Sequence, residues 1–153
     1  MKNVKKLRAP IRQSKQNIKL TKELLKRLPF GFIFTAEVTT SSMEPLLPVG
    51  CLVKVKRIRI AQVNAGEIVM FANTNYRYPA VHRVIKKVKR NSRILLFTKG
   101  DNAPQADVYP IEQTNFIGIV VQKLNSQGEY EDLVIPKVYS WRSWLKRLFT
   151  FYK

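Results

Sequence analysis

The stretch Leu52-Val53-Lys54-Val55-Lys56-Arg57-Ile58 indicates the fold class, because valines and lysines alternate along it. In an extended strand this alternation turns the valines toward a core and the lysines toward solvent. Short runs rich in β-branched and aromatic residues recur on both sides, separated by Gly, Pro and Asn, and they predict further strands. These runs cover residues 32–38, 68–71, 80–88, 94–98, 116–124 and 130–135. With hairpin turns expected at Asn91-Ser92 and Ser126-Gln127-Gly128, the sequence predicts a mainly β, antiparallel protein.

The two ends of the chain have a different pattern from its middle. Residues 12–28 are polar and basic with apolar residues at a loose helical spacing, which predicts an amphipathic helix that Pro29 ends. A second basic helix, with tryptophans in its apolar stripe, is predicted over 137–153. The chain therefore divides into a basic N-terminal helical extension (1–28), a β domain (29–136) and a basic amphipathic C-terminal helix (137–153). This last helix either caps the β core or lies in a membrane interface.

The composition fits one domain of strong positive charge. The 153 residues, 45% of them hydrophobic, suffice for a core. Lysine and arginine number 28 against 10 acidic residues, so the net charge is +18. Residues 1–27 and 137–153 carry 14 of these 18 charges. An excess of this size makes nucleic acid and lipid headgroups the first partners to consider.

Several classes of protein are excluded by what the sequence lacks. The longest uncharged stretch, Gln113 to Gln122, has 10 residues, whereas a membrane-spanning helix needs about 18 to 20 apolar residues. Basic residues at positions 8, 12, 15 and 19 interrupt the apolar region that a secretory signal peptide requires. One cysteine and one histidine cannot form the usual four-ligand zinc site. We therefore expect an intracellular, cytoplasmic protein without metal or other cofactor, with contact to an anionic membrane through its tails as an alternative.

Three short blocks carry residues suited to catalysis. Thr40-Ser41-Ser42-Met43-Glu44-Pro45 puts hydroxyls before a proline turn, where a serine Oγ can be exposed. His82, the one histidine of the chain, lies inside an apolar strand. An imidazole changes charge near neutral pH, so it is the natural general base for a serine. Asp101 and Asp107 lie six residues apart in a polar loop, and either carboxylate could orient the imidazole.

Taken in order along the chain, these blocks resemble the consecutive motifs of type I signal peptidases. The resemblance spans about residues 32–122 and implies the antiparallel β fold of that family. In the family, the bacterial housekeeping branch uses lysine as general base, whereas the archaeal and endoplasmic-reticulum branch has histidine, as this chain has at position 82. The matching segments are Ser42-Met43-Glu44-Pro45, Gly66-Glu67-Ile68-Val69-Met70-Phe71, His82-Arg83-Val84, and Thr98-Lys99-Gly100-Asp101-Asn102 with Asp107.

The resemblance implies a serine endopeptidase that removes signal or leader peptides. It assigns Ser42 as nucleophile, His82 as general base and Asp107 as the acid that orients the histidine, while Asp101 supports the site. By the same resemblance, the Thr40 hydroxyl and the Ser42 backbone N–H hold the oxyanion. The implied substrate is a peptide or preprotein that binds as an extended strand beside an exposed sheet edge. Its side chains at the first and third positions before the cut would be small.

The chain departs from the family pattern at a few places. A basic segment of about 28 residues stands where the family has a membrane anchor, which implies a soluble or peripherally bound enzyme. Ser41 stands where a glycine usually precedes the nucleophile, a change that we expect to alter the oxyanion loop. Gly50-Cys51 and Gly66-Glu67 stand where Gly-Asp pairs are usual, and we expect turns at both.

Other interpretations stay open. A catalytically degenerate relative would act as a basic binding or scaffold protein, on an anionic membrane or on nucleic acid. Nucleic-acid binding would follow the SOS-type repressors, whose self-cleaving domain shares this fold. The 28-residue N-terminal segment argues against that, because it has no room for a full helix-turn-helix domain. Cys51 could also act as the nucleophile with His82, although its apolar surroundings are typical of a buried thiol.

Overall fold

A single antiparallel sheet contains every strand of the computed structural model, which describes residues 23–25, 27–73 and 79–133. The sheet order is β1-β2-β6-β3-β4-β5, with β7 pairing with β6. This arrangement confirms the predicted mainly β, antiparallel fold. The strands are β1 (Ile33–Glu37), β2 (Leu52–Lys56), β3 (Ile68–Phe71), β4 (Ala80–Arg90), β5 (Arg93–Lys99), β6 (Phe116–Leu124) and β7 (Tyr130–Asp132).

The predicted strands differ from the observed ones only at their ends. β3 and β6 have the predicted bounds, while β1 and β2 are shorter by one or two residues at their ends. β4 and β5 run beyond the predicted 80–88 and 94–98, because Lys89, Arg90 and Arg93 continue the pairing up to the hairpin turn. Asn91 and Ser92 have φ values of 46° and 63°, the left-handed pair that a two-residue hairpin requires. β7 ends at Asp132, and residues 134–135 of its predicted range lie outside the described residues.

The core lies on both faces of the sheet around β3. All four residues of β3 are buried, and they alternate between two apolar clusters. Val53 and Val55 of β2, both 0% exposed, belong to the first cluster, as the alternation in the opening stretch predicts. The first cluster also holds Val38, Met43, Leu47, Ile68, Met70, Ala72, Ile117 and Val120. The second holds Ile60, Val63, Val69, Phe71, Val84, Leu96, Ile111 and Phe116.

β6, a strand from late in the chain, lies between β2 and β3 and pairs with both of them. Gly118 permits this close packing, because a Cβ there would lie 2.5 Å from the Lys56 carbonyl oxygen. The register of β3 on β4 then sets the site, with Val69 opposite His82 and Ile68 opposite Arg83.

The two predicted terminal helices fall largely on residues that are not described. Residues 23–25 and 27 are helical, while the rest of the predicted helix over 12–28 lies mainly outside the described residues, as does all of 137–153. Within the described ranges, no helix is long and apolar enough to cross a membrane. Gly50 and Gly66 have φ values of 85° and 95°, in agreement with the turns expected at both positions.

Candidate active site

Ser42 lies on a short 3₁₀ turn, Ser41–Met43, that follows β1. Met43 and Leu47 anchor this turn in the core, since they are 1% and 0% exposed. Ser42 itself is half-buried and lines a groove with a volume of about 720 Å³. The turn thus combines a fixed backbone with a hydroxyl that an incoming molecule can reach.

His82 joins Ser42 to Asp107 through both of its ring nitrogens. Its Nε2 lies 3.1 Å from Ser42 Oγ, and its Nδ1 lies 2.7 Å from Asp107 Oδ2. An ionised carboxylate only accepts hydrogen bonds, so Nδ1 carries the proton and Nε2 turns its lone pair to the serine. The Phe71 ring packs against the imidazole in a T-shaped arrangement, with ring centroids 5.7 Å apart. The structure therefore brings together the three residues that the sequence assigned to nucleophile, base and orienting acid.

The groove beside this triad has both polar and apolar walls. Ser42, His82 and Asp107 lie along it, so the reactive groups are open to a ligand from one side. The side chains of His82 and Asp107 are nevertheless only 12% and 20% exposed, and this shielding strengthens the contact between them. Further lining residues are Val38, Thr40, Met43, Met70, Phe71, Pro79, Ala80, Val81, Pro104, Val108 and Tyr109.

Asp101 faces a different partner from the triad. Both of its carboxylate oxygens accept from Arg83, at 2.8 Å from Nε and 2.6 Å from Nη2. Arg83, 7% exposed, also donates to the Gly66 carbonyl oxygen at 2.9 Å. The residues alone left open which acid orients the imidazole, whereas the family resemblance named Asp107, and in the structure Asp107 is the acid that contacts His82.

The loop that carries Asp101 also contacts the turn that carries Ser42. The Asn102 backbone N–H donates to the Ser42 carbonyl oxygen at 2.8 Å, and its side-chain amide donates to the Ser41 carbonyl oxygen at 3.2 Å. Gly100 allows this approach, because a Cβ at this position would lie 2.7 Å from the Ser42 carbonyl oxygen. Asp101 lies in this loop: its backbone N–H donates to Met43 Sδ on the serine turn at 3.5 Å, and its carboxylate pairs with Arg83 of β4.

Thr40 and Cys51, the other two residues proposed from the sequence, have different surroundings. Thr40 Oγ1 is 3.2 Å from Ser42 Oγ, so the expected oxyanion donor lies beside the Ser42 hydroxyl. The Cys51 thiol is half-buried and lies near the carbonyl oxygens of Leu52 and Leu124, at 3.6 and 3.7 Å. Because His82 Nε2 faces Ser42, the interpretation of Cys51 as nucleophile gains no support from this geometry.

Three residues with a part in the site received no role from the sequence. Arg83 and Asn102 fix the loops around Ser42, and Thr98 donates to Asp107 Oδ2 at 2.6 Å. All three lie inside the matching segments, immediately beside or near the assigned residues. That proximity was the available signal, but the side chain that each contacts depends on strand faces and loop paths.

Comparison with known proteins gives a consistent result. Residues 7–121 match the family described as Peptidase S24-like. The chain is 33% identical over 90 residues to "Signal peptidase I W" of Bacillus subtilis, covering 56% of this chain and 45% of that protein. It is 44% identical over 66 residues to the human "Signal peptidase complex catalytic subunit SEC11C", covering 42% of this chain and 34% of that protein.

A third relative matches over a longer part of its length. The "Signal peptidase complex catalytic subunit SEC11" of Scheffersomyces stipitis is 29% identical over 110 residues, which cover 67% of this chain and 66% of that protein. The chain spans less than half of the first two relatives. The names of all three agree with the resemblance seen in the sequence motifs.

Proposed function

The chain belongs to the Peptidase S24-like family, and we propose that it is a serine endopeptidase of the signal-peptidase type. Ser42 is the nucleophile, His82 the general base and Asp107 the acid that orients the base. The observation that carries the proposal is the continuous hydrogen-bonded chain from Ser42 Oγ through both imidazole nitrogens to Asp107 Oδ2. The histidine at this position gives the chain the catalytic pattern of the archaeal and endoplasmic-reticulum branch.

The reaction is an acyl transfer in two halves. His82 Nε2 takes the proton from Ser42 Oγ while Oγ bonds to the scissile carbonyl carbon, and Asp107 stabilises the imidazolium that forms. His82 then gives the proton to the leaving amine as the C–N bond breaks, which leaves an ester on Ser42. Water, deprotonated by the same imidazole, attacks that ester, and Ser42 recovers its proton as the acid product leaves.

The tetrahedral intermediate needs donors for its oxyanion. We assign these to the Ser42 backbone N–H and the Thr40 hydroxyl, which lies 3.2 Å from Ser42 Oγ. Donors fixed before the reaction stabilise charge that develops in the transition state without reorganising. The contacts from the Gly100–Asn102 loop to Ser41 and Ser42 support this role, because they hold the backbone of the turn.

The substrate is an extended peptide that lies along the groove. Over the described residues, β5 pairs with β4 from Arg83 onward, whereas β3 pairs with β4 from Ala80. Residues 80–82 therefore line the groove at a point where β4 has a pairing partner on one side only. A peptide strand can add there by main-chain hydrogen bonds, with small side chains at the first and third positions before the cut. The enzyme cleaves this peptide in the cytoplasm or at the surface of an anionic membrane.

Peptide cleavage by the purified chain tests the function. Peptides that contain Ala-x-Ala are incubated with wild type, Ser42→Ala, His82→Ala and Asp107→Asn, with and without anionic lipid. Wild type should cleave after the second alanine, and the three variants should lose most activity while remaining folded. Ser41→Ala is the matched control, because it removes a neighbouring exposed hydroxyl from the same turn and should retain activity.

Labelling with a fluorophosphonate gives a second, substrate-independent measurement. The probe should modify wild type at Ser42, as located by peptide mass spectrometry, and should leave Ser42→Ala unmodified. Equal cleavage by Ser42→Ala, or a modified residue elsewhere, would contradict the assignment. A wild-type chain that neither cleaves nor reacts would favour the scaffold or binding interpretation.

A further inference from the structure

Thr98 is a buried polar residue next to the triad without an assigned role. It lies on β5 and is 0% exposed, and its hydroxyl donates to Asp107 Oδ2 at 2.6 Å. The Asp107 backbone N–H donates in turn to the Thr98 carbonyl oxygen at 2.8 Å. Asp107 is therefore tied to β5 through both its main chain and its side chain.

The same carboxylate oxygen receives two donors. Asp107 Oδ2 accepts from Thr98 Oγ1 and from His82 Nδ1, at 2.6 and 2.7 Å. Distances of this size are typical of hydrogen bonds to a charged acceptor, which are stronger than those between neutral groups. Rotation of the carboxylate would break both bonds, so the hydroxyl restrains the orientation of the acid toward the imidazole.

We propose that Thr98 is a positioning residue of the catalytic site: its hydroxyl fixes the Asp107 carboxylate, which in turn selects the Nδ1-protonated tautomer of His82. The inference rests on the proposed function, since it concerns the base of that reaction. With the proton on Nδ1, the lone pair of Nε2 faces Ser42 Oγ at 3.1 Å. In the other tautomer Nε2 carries the proton and cannot accept one from the serine.

A positioning role predicts an effect on turnover rather than on substrate binding. Thr98 does not line the groove, whereas the triad does. Thr98→Val keeps the size and β-branching of the side chain and removes only the hydroxyl. It should lower kcat roughly tenfold to a hundredfold, as expected when a catalytic group is slightly misplaced, and change KM by less than about threefold. Thr98→Ser restores the hydroxyl and should recover most of the turnover.

Nitrogen-15 NMR of the imidazole tests the positioning without any substrate. The chain has one histidine, so its two ring-nitrogen signals need no assignment among others. At a pH where the ring is neutral, wild type and Thr98→Ser should show the Nδ1-protonated form. Thr98→Val should show a clear increase in the Nε2-protonated form. A purely structural threonine would leave this ratio unchanged.

The outcomes separate the two proposals. Loss of cleavage in Thr98→Val with rescue by Thr98→Ser, together with the tautomer shift, is the expected result. Unchanged kcat and an unchanged tautomer in folded Thr98→Val would overturn the role of Thr98 and leave the peptidase intact. A tautomer shift in Thr98→Val, together with a wild-type chain that neither cleaves peptide nor reacts at Ser42, would overturn the function and keep the positioning.

Two control variants protect this test from a folding defect. Thr35→Val makes the same change at an exposed site on β1 and should alter neither turnover nor the imidazole signals. If Thr98→Val does not fold, as judged by circular dichroism, Thr98→Ala against Thr98→Ser repeats the comparison with and without the hydroxyl. The tautomer ratio then decides in the same way.

Discussion

Asp101 and Asp107 lie six residues apart in the connection that follows β5, and their carboxylates face different partners. Asp107 accepts from His82, and Asp101 accepts from Arg83. The two partners are consecutive residues of β4, whose side chains point to opposite faces of the sheet. The loop after β5 thus supplies one acid to each face of the sheet, beside two consecutive residues of β4.

The difference shows how a strand can divide two tasks between neighbouring residues. On one face, Asp107 completes a chain of hydrogen bonds that ends at Ser42 Oγ. On the other face, the Arg83–Asp101 ion pair holds the loop whose backbone contacts the Ser42 turn. In the proposed mechanism, Asp107 would stabilise the charge on the base, whereas Asp101 would hold the position of the nucleophile. Substitutions of the two acids should therefore differ in size and in kind.

The largest expected effect comes from Asp107→Asn. An amide at this position can donate to His82 Nδ1, which favours the wrong tautomer, and it carries no charge to stabilise the imidazolium. Cleavage should fall about a thousandfold to ten-thousandfold in kcat, with little change in thermal stability. Steady-state kinetics and thermal unfolding of the same preparation measure both. Asp101→Asn is the matched comparison, and equal losses in the two variants would contradict the division of tasks.

A smaller but still large loss of activity is expected from a substitution of Gly100. It tests whether the loop that carries Asp101 positions Ser42. A Cβ there would lie 2.7 Å from the Ser42 carbonyl oxygen and 3.1 Å from Ser42 Cβ, so Gly100→Ala must displace the nucleophile turn or the loop. Displacement of a catalytic group by about 1 Å costs on the order of a hundredfold in rate. The measurement is kcat/KM, with fluorophosphonate labelling of Ser42 as a second readout.

The control for Gly100→Ala is a glycine substitution away from the site. Gly128 has a φ of 83° in the turn before β7, with open space around the position of a Cβ. Gly128→Ala should destabilise the fold by about 1 kcal/mol through backbone strain and leave kcat/KM of the folded protein unchanged. If both alanine variants retained full activity, the Gly100 contact would have no role in holding Ser42.

The sequence predicts the strands well, because their pattern is local. Alternation in β2 and the apolar runs of β3 and β6 are readable within a few residues, and so is the Asn91-Ser92 turn. The position of β6 between β2 and β3 is not local, since it joins segments more than 40 residues apart. The place of β6 in the sheet depends on which strand faces pack together, and a short stretch of sequence does not carry that information.

The site follows the same rule. Ser42, His82 and Asp107 could be proposed from motif order and from the chemistry of their side chains. The choice between Asp101 and Asp107 could not be made from the residues alone, because it depends on the path of the loop and on the irregular pairing of β4 with β5 between Val84 and Lys86. Thr98 and Arg83 contact acids of the loop that follows β5, and the path of that loop explains why their partners were not predicted.

The smallest expected effect on activity comes from Asp101→Asn, and it falls mainly on stability. The substitution removes the charge of Asp101 beside the buried Arg83 guanidinium, whose side chain is 8% exposed, and it turns an amide donor toward an arginine donor. Loss of one member of a buried pair costs several kcal/mol, and the 24% exposure of Asp101 reduces this to about 2 kcal/mol. The melting temperature should fall by about 4 to 8 °C, while kcat of the folded variant falls about tenfold or less.

A double-mutant cycle with Arg83→Met shows whether this cost belongs to the ion pair. If the two side chains stabilise the loop through each other, the double variant should be no less stable than Arg83→Met alone, as measured by urea unfolding. Asp132→Asn on β7, an exposed acid paired with Gln122, is the matched control and should change neither the melting temperature nor kcat. Additive losses in the cycle would mean that Asp101 and Arg83 act separately. In that case the ion pair would not link Asp101 to the turn that carries Ser42. The two acids would then differ only in how far their substitution lowers kcat.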